Sequence, residues 1–403
     1  MRSTLLPFLP LAGVAFLTAV GVVAALVPAV RAFALRIGAV QEGGSGHGLG
    51  LRRHDGSVAS VGGMAILGGF LVALIVGALV APQALGDDRT ALLAIVLGGV
   101  LMTLLGLLDD LWELPVAMRL AVQTVAAGIL VANGVTIDFV TNYFAVGPLA
   151  RWAGEGSFLF FGETLAAVLT LIWVVGFTNA FNFIDGVDGL SSGVAAIGSL
   201  SLLAVALQAD GRGPSVLLLA ALAGAAIGFL RHNAGPATIF MGDTGAYLLG
   251  YTLAATSVLG ALKVTAAVTV ATPLLILGLP VLNLTQVAVR RMRRGVSPTR
   301  ATNDHLHDLL RARGRSDRGT VLTLWTATLL LGVAGMLLAE TPPVLMGLTV
   351  VSAVVAIGGA SALRWSEVRA AESGPRLGDG PGDAAGDVGT VGARPGSRSS
   401  RRR

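Results

Sequence analysis

The chain has 403 residues, of which 54% are hydrophobic and 13% charged. Soluble proteins carry about 25% charged residues. That deficit and a mean hydropathy of +0.78 exclude soluble domains, disorder, coiled coil and collagen as the main class and identify an integral membrane protein. There is no cysteine, which excludes disulfides, thiol nucleophiles and thiolate metal sites, and the net charge of +5 is carried by arginines and a single lysine, Lys263. A basic balance of that kind is not in itself a signal for nucleic acid, and no nucleic-acid partner is expected.

Eleven stretches of at least 18 residues contain no Asp, Glu, Lys or Arg: 3–30, 56–86, 90–108, 120–137, 164–184, 189–209, 213–230, 244–262, 264–289, 319–339 and 341–363. Each is long enough to cross roughly 30 Å of hydrocarbon as a helix. The expected fold is therefore an all-α polytopic membrane protein with about eleven transmembrane helices, because open sheet edges cannot be satisfied in lipid. The first stretch is too long for the apolar segment of a signal peptide and reads as a retained span. Pro280, inside the ninth stretch (LLILGLPVLNLTQV), predicts a kinked or broken helix there.

Orientation follows from the basic residues. With eleven spans, one set of loops together with the C-terminal tail holds 22 arginines, among them Arg31, Arg36, Arg52, Arg53, Arg231, nine from Arg290 to Arg318 and eight from Arg364 onward. The opposite set holds 5 basic residues: Arg2, Arg89, Arg151, Arg212 and Lys263. This places the N-terminus outside and the C-terminus in the cytoplasm. Residues 1–372 form one multi-span domain. Residues 373–403, rich in Gly, Pro and Arg, form a tail too poor in large apolar side chains to fold.

The informative residues are acids. Asp109 and Asp110 follow the third stretch, Asp185 and Asp188 the fifth, and Asp243 the seventh, so all three loops share the cytoplasmic face, as does the long loop with His305 and His307. A stop signal at the lipid boundary would account for a charge after the third stretch. It needs no acidic pair, and a helix C-terminus disfavours negative charge. A divalent cation relieves such repulsion, and hard oxygen ligands suit Mg²⁺.

In NAFNFIDGVDGL, Asp185 and Asp188 are three apart and share a face on a helical turn, while Gly186 and Gly189 leave the backbone open to a ligand. Asn179 and Asn182 lie at the membrane end of an apolar helix, where amides are costly unless they bind something. In FMGDTGA, Asp243 reads equally well as a helix N-cap, and its weight comes from sharing a face with the other carboxylates. His305 and His307 are an i,i+2 pair, which would not face each other on a regular helix; they suit a turn or helix start touching one ligand. Beside phosphates, imidazole and guanidinium are the expected donors. Glycines inside the spans read as packing surfaces.

Taken together these residues resemble the polyprenyl-phosphate N-acetylhexosamine-1-phosphate transferases, over about residues 50–320 and in the same order. The carriers are Asp109-Asp110 with Arg119 and Gln123 (RLAVQ), NAFNFIDGVDGL, FMGDTGA, and RRGVSP followed by His305-Leu306-His307. Phe183-Ile184 before the first DG is similar to the N-acetylglucosamine branch. The resemblance implies transfer of N-acetylglucosamine 1-phosphate from a UDP-sugar donor to a polyprenyl-phosphate acceptor, with release of UMP and with Mg²⁺ (or Mn²⁺). It implies a multi-pass plasma-membrane enzyme in the lipid bilayer, its active site on the cytoplasmic face, opening a cell-wall or surface glycan, and it admits a homodimer.

It further implies Asp109, Asp110, Asp185 and Asp188 as catalytic residues and Asp243 with Asp110 as metal ligands. Asn179, Asn182, Arg119, His305 and His307 become substrate-binding, and the broken ninth helix part of the groove for the polyprenyl chain. Departures from the family pattern are the first loop (LRRHDGSVASVGG, which keeps Gly62-Gly63), Glu113 after the acidic pair, Asp308 after His307, and Thr302 with Asp304 in place of an aspartate three residues before the histidines.

The alternatives are another UDP-N-acetylhexosamine donor, including UDP-MurNAc-pentapeptide, or an inactive scaffold of the same family. A secondary transporter would show repeated halves and acids at the midplane. Here no repeat is visible and the acids lie at one face.

Overall fold

The structure, a computed structural model, describes residues 8–42, 57–86, 88–141, 158–208, 211–260, 270–295 and 304–373. Arg52, Arg53, Lys263, Thr302 and the tail after Ser373 lie outside these residues. In chain order the helices are α1 (Leu9–Ile37), α2 (Gly63–Val80), α3 (Arg89–Trp112), α4 (Val116–Ala132), α5 (Glu163–Ile184), α6 (Leu190–Ala206), α7 (Gly213–Asn233) and α8 (Gly242–Gly260). They continue with α9 (Ala271–Ile276), α10 (Gly278–Arg293), α11 (Leu306–Ala312), α12 (Asp317–Leu338) and α13 (Pro343–Ser373).

The protein is a helical polytopic membrane protein. Among the described residues seven helices are long and apolar enough to cross a membrane: α1, α2, α3, α5, α7, α12 and α13. That is fewer than the eleven charge-free stretches, for local reasons. α4 and α6 have 17 residues each, about 25 Å of helix against roughly 30 Å of hydrocarbon. α8 has Asp243 in its first turn and carries threonines and two tyrosines along its length. The ninth stretch divides at Leu277 into α9 and α10, with Pro280 in the first turn of α10, where its missing N–H costs nothing.

The core is made by α6, α7 and α8, which are buried along almost their whole length. Around them pack α1 and α2 against α7, α3 and α5 against α8, and α12 and α13 against α6. Outward faces carry large apolar side chains such as Leu17, Leu79, Leu97, Ile172, Leu330 and Val355. Such a belt is expected where the solvent is lipid rather than water. Small residues allow the close crossings. A side chain at Gly224 would strike the Phe16 carbonyl of α1, and one at Gly106 of α3 would strike the Asp243–Thr244 backbone of α8.

Among the described residues two short antiparallel strand pairs lie outside the helices. β1 (Val40–Glu42) pairs with β2 (Ser57–Ala59), and β3 (Phe139–Thr141) with β4 (Phe158–Phe160). The chain after β2 runs on beside residues 239–241: Phe240 N–H donates to the Ala59 carbonyl (2.8 Å), Gly62 N–H to Phe240 (3.0 Å) and Gly63 N–H to Met241 (3.0 Å). Gly62-Gly63, retained in an otherwise altered first loop, is thus the strap beside FMGD. Bulk is excluded there, because a Cβ on Gly63 would meet the backbone of Thr244 and Gly245.

The basic residues divide between the two ends. Arg31 reaches the Thr238 carbonyl and Arg364 the Pro236 carbonyl, at the end where α8 begins. Arg212 reaches the carbonyls of Leu259 and Gly260, where α8 finishes.

Candidate active site

The N-terminus of α8 is the organising point. Gly242 precedes Asp243 with φ +70, and a side chain there would collide with the Ser60 carbonyl and the Asp110 carboxylate. Asp110, at the C-terminal end of α3, accepts from Asp243 N–H (2.9 Å) through Oδ1 and from Thr244 N–H (3.1 Å) and the Thr244 hydroxyl through Oδ2. It therefore caps α8 from a neighbouring helix, satisfying N–H groups a helix start leaves orphaned. Asp110, expected as a metal ligand, thus also has a structural task, and its Oδ1, with one bond, keeps a free acceptor site. The same capping revises the reading of Asp243 as a self-contained N-cap, because the capping carboxylate is supplied by α3.

Asp243 is the half-buried residue of an otherwise buried helix. Asn182, in the last turn of α5, donates its side-chain amide to Asp243 Oδ1. Asp109 is buried and accepts from three elements: Leu114 N–H (2.8 Å) on Oδ1, and Arg119 Nη1 (3.0 Å) and the Tyr247 hydroxyl (2.8 Å) on Oδ2. Arg119, expected at substrate, is thus an ion-pair partner of Asp109. Asn179 is not brought to the carboxylates. One turn deeper, it donates to Gln123 Oε1 (2.6 Å) and to the Val175 carbonyl, tying α5 to α4.

The DG turn forms the second half of the site. The Ser191 hydroxyl donates to Asp185 (2.7 Å) and also lies against the Met241 sulfur, linking the turn to the start of α8. Asp188 accepts from Ala237 N–H (3.0 Å). Asn233, at the end of α7, accepts from Gly189 N–H and the Ser192 hydroxyl and donates to the Ile239 carbonyl, so one buried amide joins both acidic motifs. Gly189 needs its glycine for φ +79. Gly186 does not face open space, as the sequence suggested: the His307 imidazole fills the position where its Cβ would stand.

His305 is the extended N-cap of α11, with φ −70 and ψ 158, rather than a helical residue. Because of that backbone turn, the His305 and His307 rings do face each other, stacked at 5.4 Å and 4°. Asn283 of α10 sets the pair in place. Its amide donates to the Phe183 carbonyl and lies 3.3 Å from His305 Nδ1, and its oxygen accepts from Leu306 N–H (2.9 Å). Burial, with Arg291 nearby, lowers the His305 pKa to about 4, so the ring is neutral at physiological pH. Burial raises the Asp308 carboxyl above its usual range. Asp304 pairs with Arg294 (2.9 Å) and faces Arg290 (3.8 Å), closing the loop onto α10.

The sequence reading missed Tyr247, Asn233 and Asn283. The two asparagines carried the signal used for Asn179 and Asn182, an amide in an apolar run. Tyr247 gave none, since a tyrosine in an apolar helix reads as core.

No group of three or more His, Asp or Glu among the described residues is placed to ligate one metal. Mg²⁺ commonly takes only one or two carboxylates and completes its shell with substrate phosphates and water. Asp109, bonded to Tyr247 one turn after Asp243, brings a second carboxylate to the same end of α8. Neighbouring carboxylates favour a shared proton or a cation. The residues present therefore fit a hard divalent ion that takes most of its shell from substrate and water.

A sequence profile described as Glycosyl transferase family 4 matches residues 92–261. The chain is 31% identical over 330 residues to a Bacillus subtilis (strain 168) protein named a probable undecaprenyl-phosphate N-acetylglucosaminyl 1-phosphate transferase, covering 81% of this chain and 84% of the relative. It is 33% identical over 291 residues to a decaprenyl-phosphate N-acetylglucosaminephosphotransferase of Mycobacterium tuberculosis (strain ATCC 25618 / H37Rv), covering 66% and 70% respectively. An undecaprenyl-phosphate alpha-N-acetylglucosaminyl 1-phosphate transferase of Escherichia coli (strain K12) is 26% identical over 291 residues, covering 71% and 74%. The similarity extends well beyond the matched segment, and the motifs it joins converge at one end of the bundle. The chain belongs to glycosyl transferase family 4, among the polyprenyl-phosphate N-acetylhexosamine-1-phosphate transferases.

Proposed function

We propose that this protein transfers N-acetylglucosamine 1-phosphate from UDP-N-acetylglucosamine to a membrane polyprenyl phosphate, releasing UMP, as the first membrane step of a cell-wall or surface glycan. The observation that carries the reading is the meeting of Asp109, Asp110, Asn182 and Asp243, from α3, α5 and α8, at one end of an apolar bundle. The names of the relatives give the acceptor class and the sugar.

In the reaction an oxygen of the lipid phosphate attacks the β-phosphorus of the donor. A new P–O bond forms, the bond to the bridging oxygen breaks, and UMP leaves with that oxygen. Both reactants are anions, so neutralising and aligning them is most of the catalytic work. Mg²⁺ held by Asp243 would supply charge neutralisation at the diphosphate. Asp109 orients the lipid phosphate and takes any remaining proton; with a second pKa near 6, that phosphate is largely ionised already. Asn182 fixes Asp243, while Asp185 and Asp188 hold the nucleotide end of the donor. His305 and His307 donate to the diphosphate as charge develops. A neutral His305, with Nδ1 facing the Asn283 amide, presents Nε2–H as its donor.

An apolar cavity of about 280 Å³ between α5 and the α9–α10 pair, lined by Leu169, Ile172, Phe177, Leu274, Val281 and Leu284, supports a groove there for the polyprenyl chain. The excess of arginines at the site end supports a cytoplasmic active site, an external N-terminus and a plasma-membrane location.

The test is UMP release by purified protein with a polyprenyl phosphate, UDP-N-acetylglucosamine and Mg²⁺, beside Asp243→Ala and a chelator control. Metal- and lipid-dependent UMP that is lost in the variant supports the reading. Turnover only with another UDP-N-acetylhexosamine keeps the chemistry and changes the donor. Silence with every donor rejects the enzyme in favour of a scaffold.

A further inference from the structure

We infer that Tyr247 is a positioning residue for the transfer, acting through Asp109. The inference rests on the proposed function and adds a residue to it. Tyr247 lies one turn after Asp243 on α8 and is 1% exposed. Its phenol reaches back to α3, donating to Asp109 Oδ2 at 2.8 Å, and Arg119 Nη1 lies 3.4 Å from the phenol oxygen and 3.0 Å from the same carboxylate oxygen.

A buried tyrosine hydroxyl needs a partner, and a carbonyl would have served. Here it has a carboxylate instead. Leu114 N–H holds the other oxygen at 2.8 Å, so donors on both sides leave Asp109 little freedom to turn. Asp243 and Tyr247 are adjacent along one face of α8. One rigid helix therefore carries the candidate metal ligand and the group that aims the acid on α3. The spacing between the two reacting centres is set by a single element, as near-attack geometry requires.

Tyr251 provides an internal control. It lies one turn further along α8, is equally buried, and its hydroxyl approaches only backbone carbonyls, Ala94 at 3.5 Å and Ala126 at 3.4 Å. Phenylalanine keeps the ring packing at either position.

The experiment compares Tyr247→Phe and Tyr251→Phe with wild type for kcat, KM for UDP-N-acetylglucosamine and thermal unfolding in detergent. Orienting partners of this kind are typically worth 10- to 100-fold. Tyr247→Phe is expected to lower kcat by about tenfold or more, with the donor KM and the melting temperature unchanged. Tyr251→Phe should keep the wild-type kcat. A wild-type kcat in Tyr247→Phe overturns the inference. So does an equal kcat loss in both variants, or a Tyr247→Phe loss matched by a fall in melting temperature, since either assigns the hydroxyl to stability. A wild-type chain that releases no UMP with any donor overturns the functional reading as well, which separates the two failures.

Discussion

Asn182 and Asp243 are 61 positions apart in the sequence, yet the amide of one is hydrogen-bonded to the carboxylate of the other. The end of α5 and the start of α8 are thereby joined at the half-buried acid of α8. Asn182→Ala should leave the bundle folded and lower kcat by about 10- to 100-fold, the usual loss when an orienting partner is removed. Steady-state UMP release beside a thermal melt checks this.

Asp110 and Asp243 should separate cleanly by substitution. Asp110→Ala removes the acceptor for the Asp243 N–H, Thr244 N–H and Thr244 hydroxyl. Loss of a helix cap costs about 0.5–2 kcal/mol, so the melting temperature should fall together with activity. Asp243→Ala should melt like wild type and lose at least about 100-fold in kcat. Equal melting curves for the two variants would contradict the capping assignment.

Stability should depend on pH through His305. Its folded pKa of about 4 lies below the ordinary imidazole value of 6.5, with burial the main cause and Arg291 the second. The unfolded chain therefore takes up the proton first. Stability from the neutral ring is full above about pH 6.5 and is lost as pH falls toward 4. His305→Gln should flatten the melting-temperature profile across that window. An unchanged slope would place the titrating group elsewhere.

Gly186→Ala puts a methyl group into the volume of the His307 ring. The ring must move, taking its stack on His305 with it. A displacement of about 1 Å in a positioned group can cost about 100-fold in rate, so kcat should collapse while the bundle still melts cooperatively.

The last helix holds the site from behind. Trp365 Nε1 donates to the Gly235 carbonyl and Arg364 makes two bonds to the Pro236 carbonyl, fixing the turn whose Ala237 N–H holds Asp188. Trp365→Ala should raise the KM for UDP-N-acetylglucosamine by about tenfold. Donor titrations at saturating lipid read this directly, and an unchanged KM would detach α13 from the site.

Much of this site was legible in the sequence because lipid makes polarity expensive. An acid or amide at the end of an apolar run stands out whether or not its partner is known, as Asp185, Asp188, Asn182 and Asp243 do. What the residues are for was less legible. The sequence does not show that Asp110 also caps α8, or that Arg119 also pairs with Asp109. His305 and His307 suit a helix start in the sequence, and His305 is the N-cap of α11; the stacking of the two rings on each other is what a residue count does not reveal. Absence of charge is a weaker condition than length and apolarity together: among the described residues α4, α6 and the divided ninth stretch are short, and α8 is long enough but carries Asp243, threonines and two tyrosines.

The segment that carries the family match begins at residue 92, but the active-site loop does not support itself. Phe240 and Met241 are bonded to the chain at Ala59, Gly62 and Gly63, and α7 is covered by α1. A fragment starting at the match would leave those backbone groups unpaired beside Asp243 and would strip one side of a core helix. The smallest active piece of this protein must therefore reach back through the first two helices, so the folding unit is larger than the segment by which its ancestry is recognised.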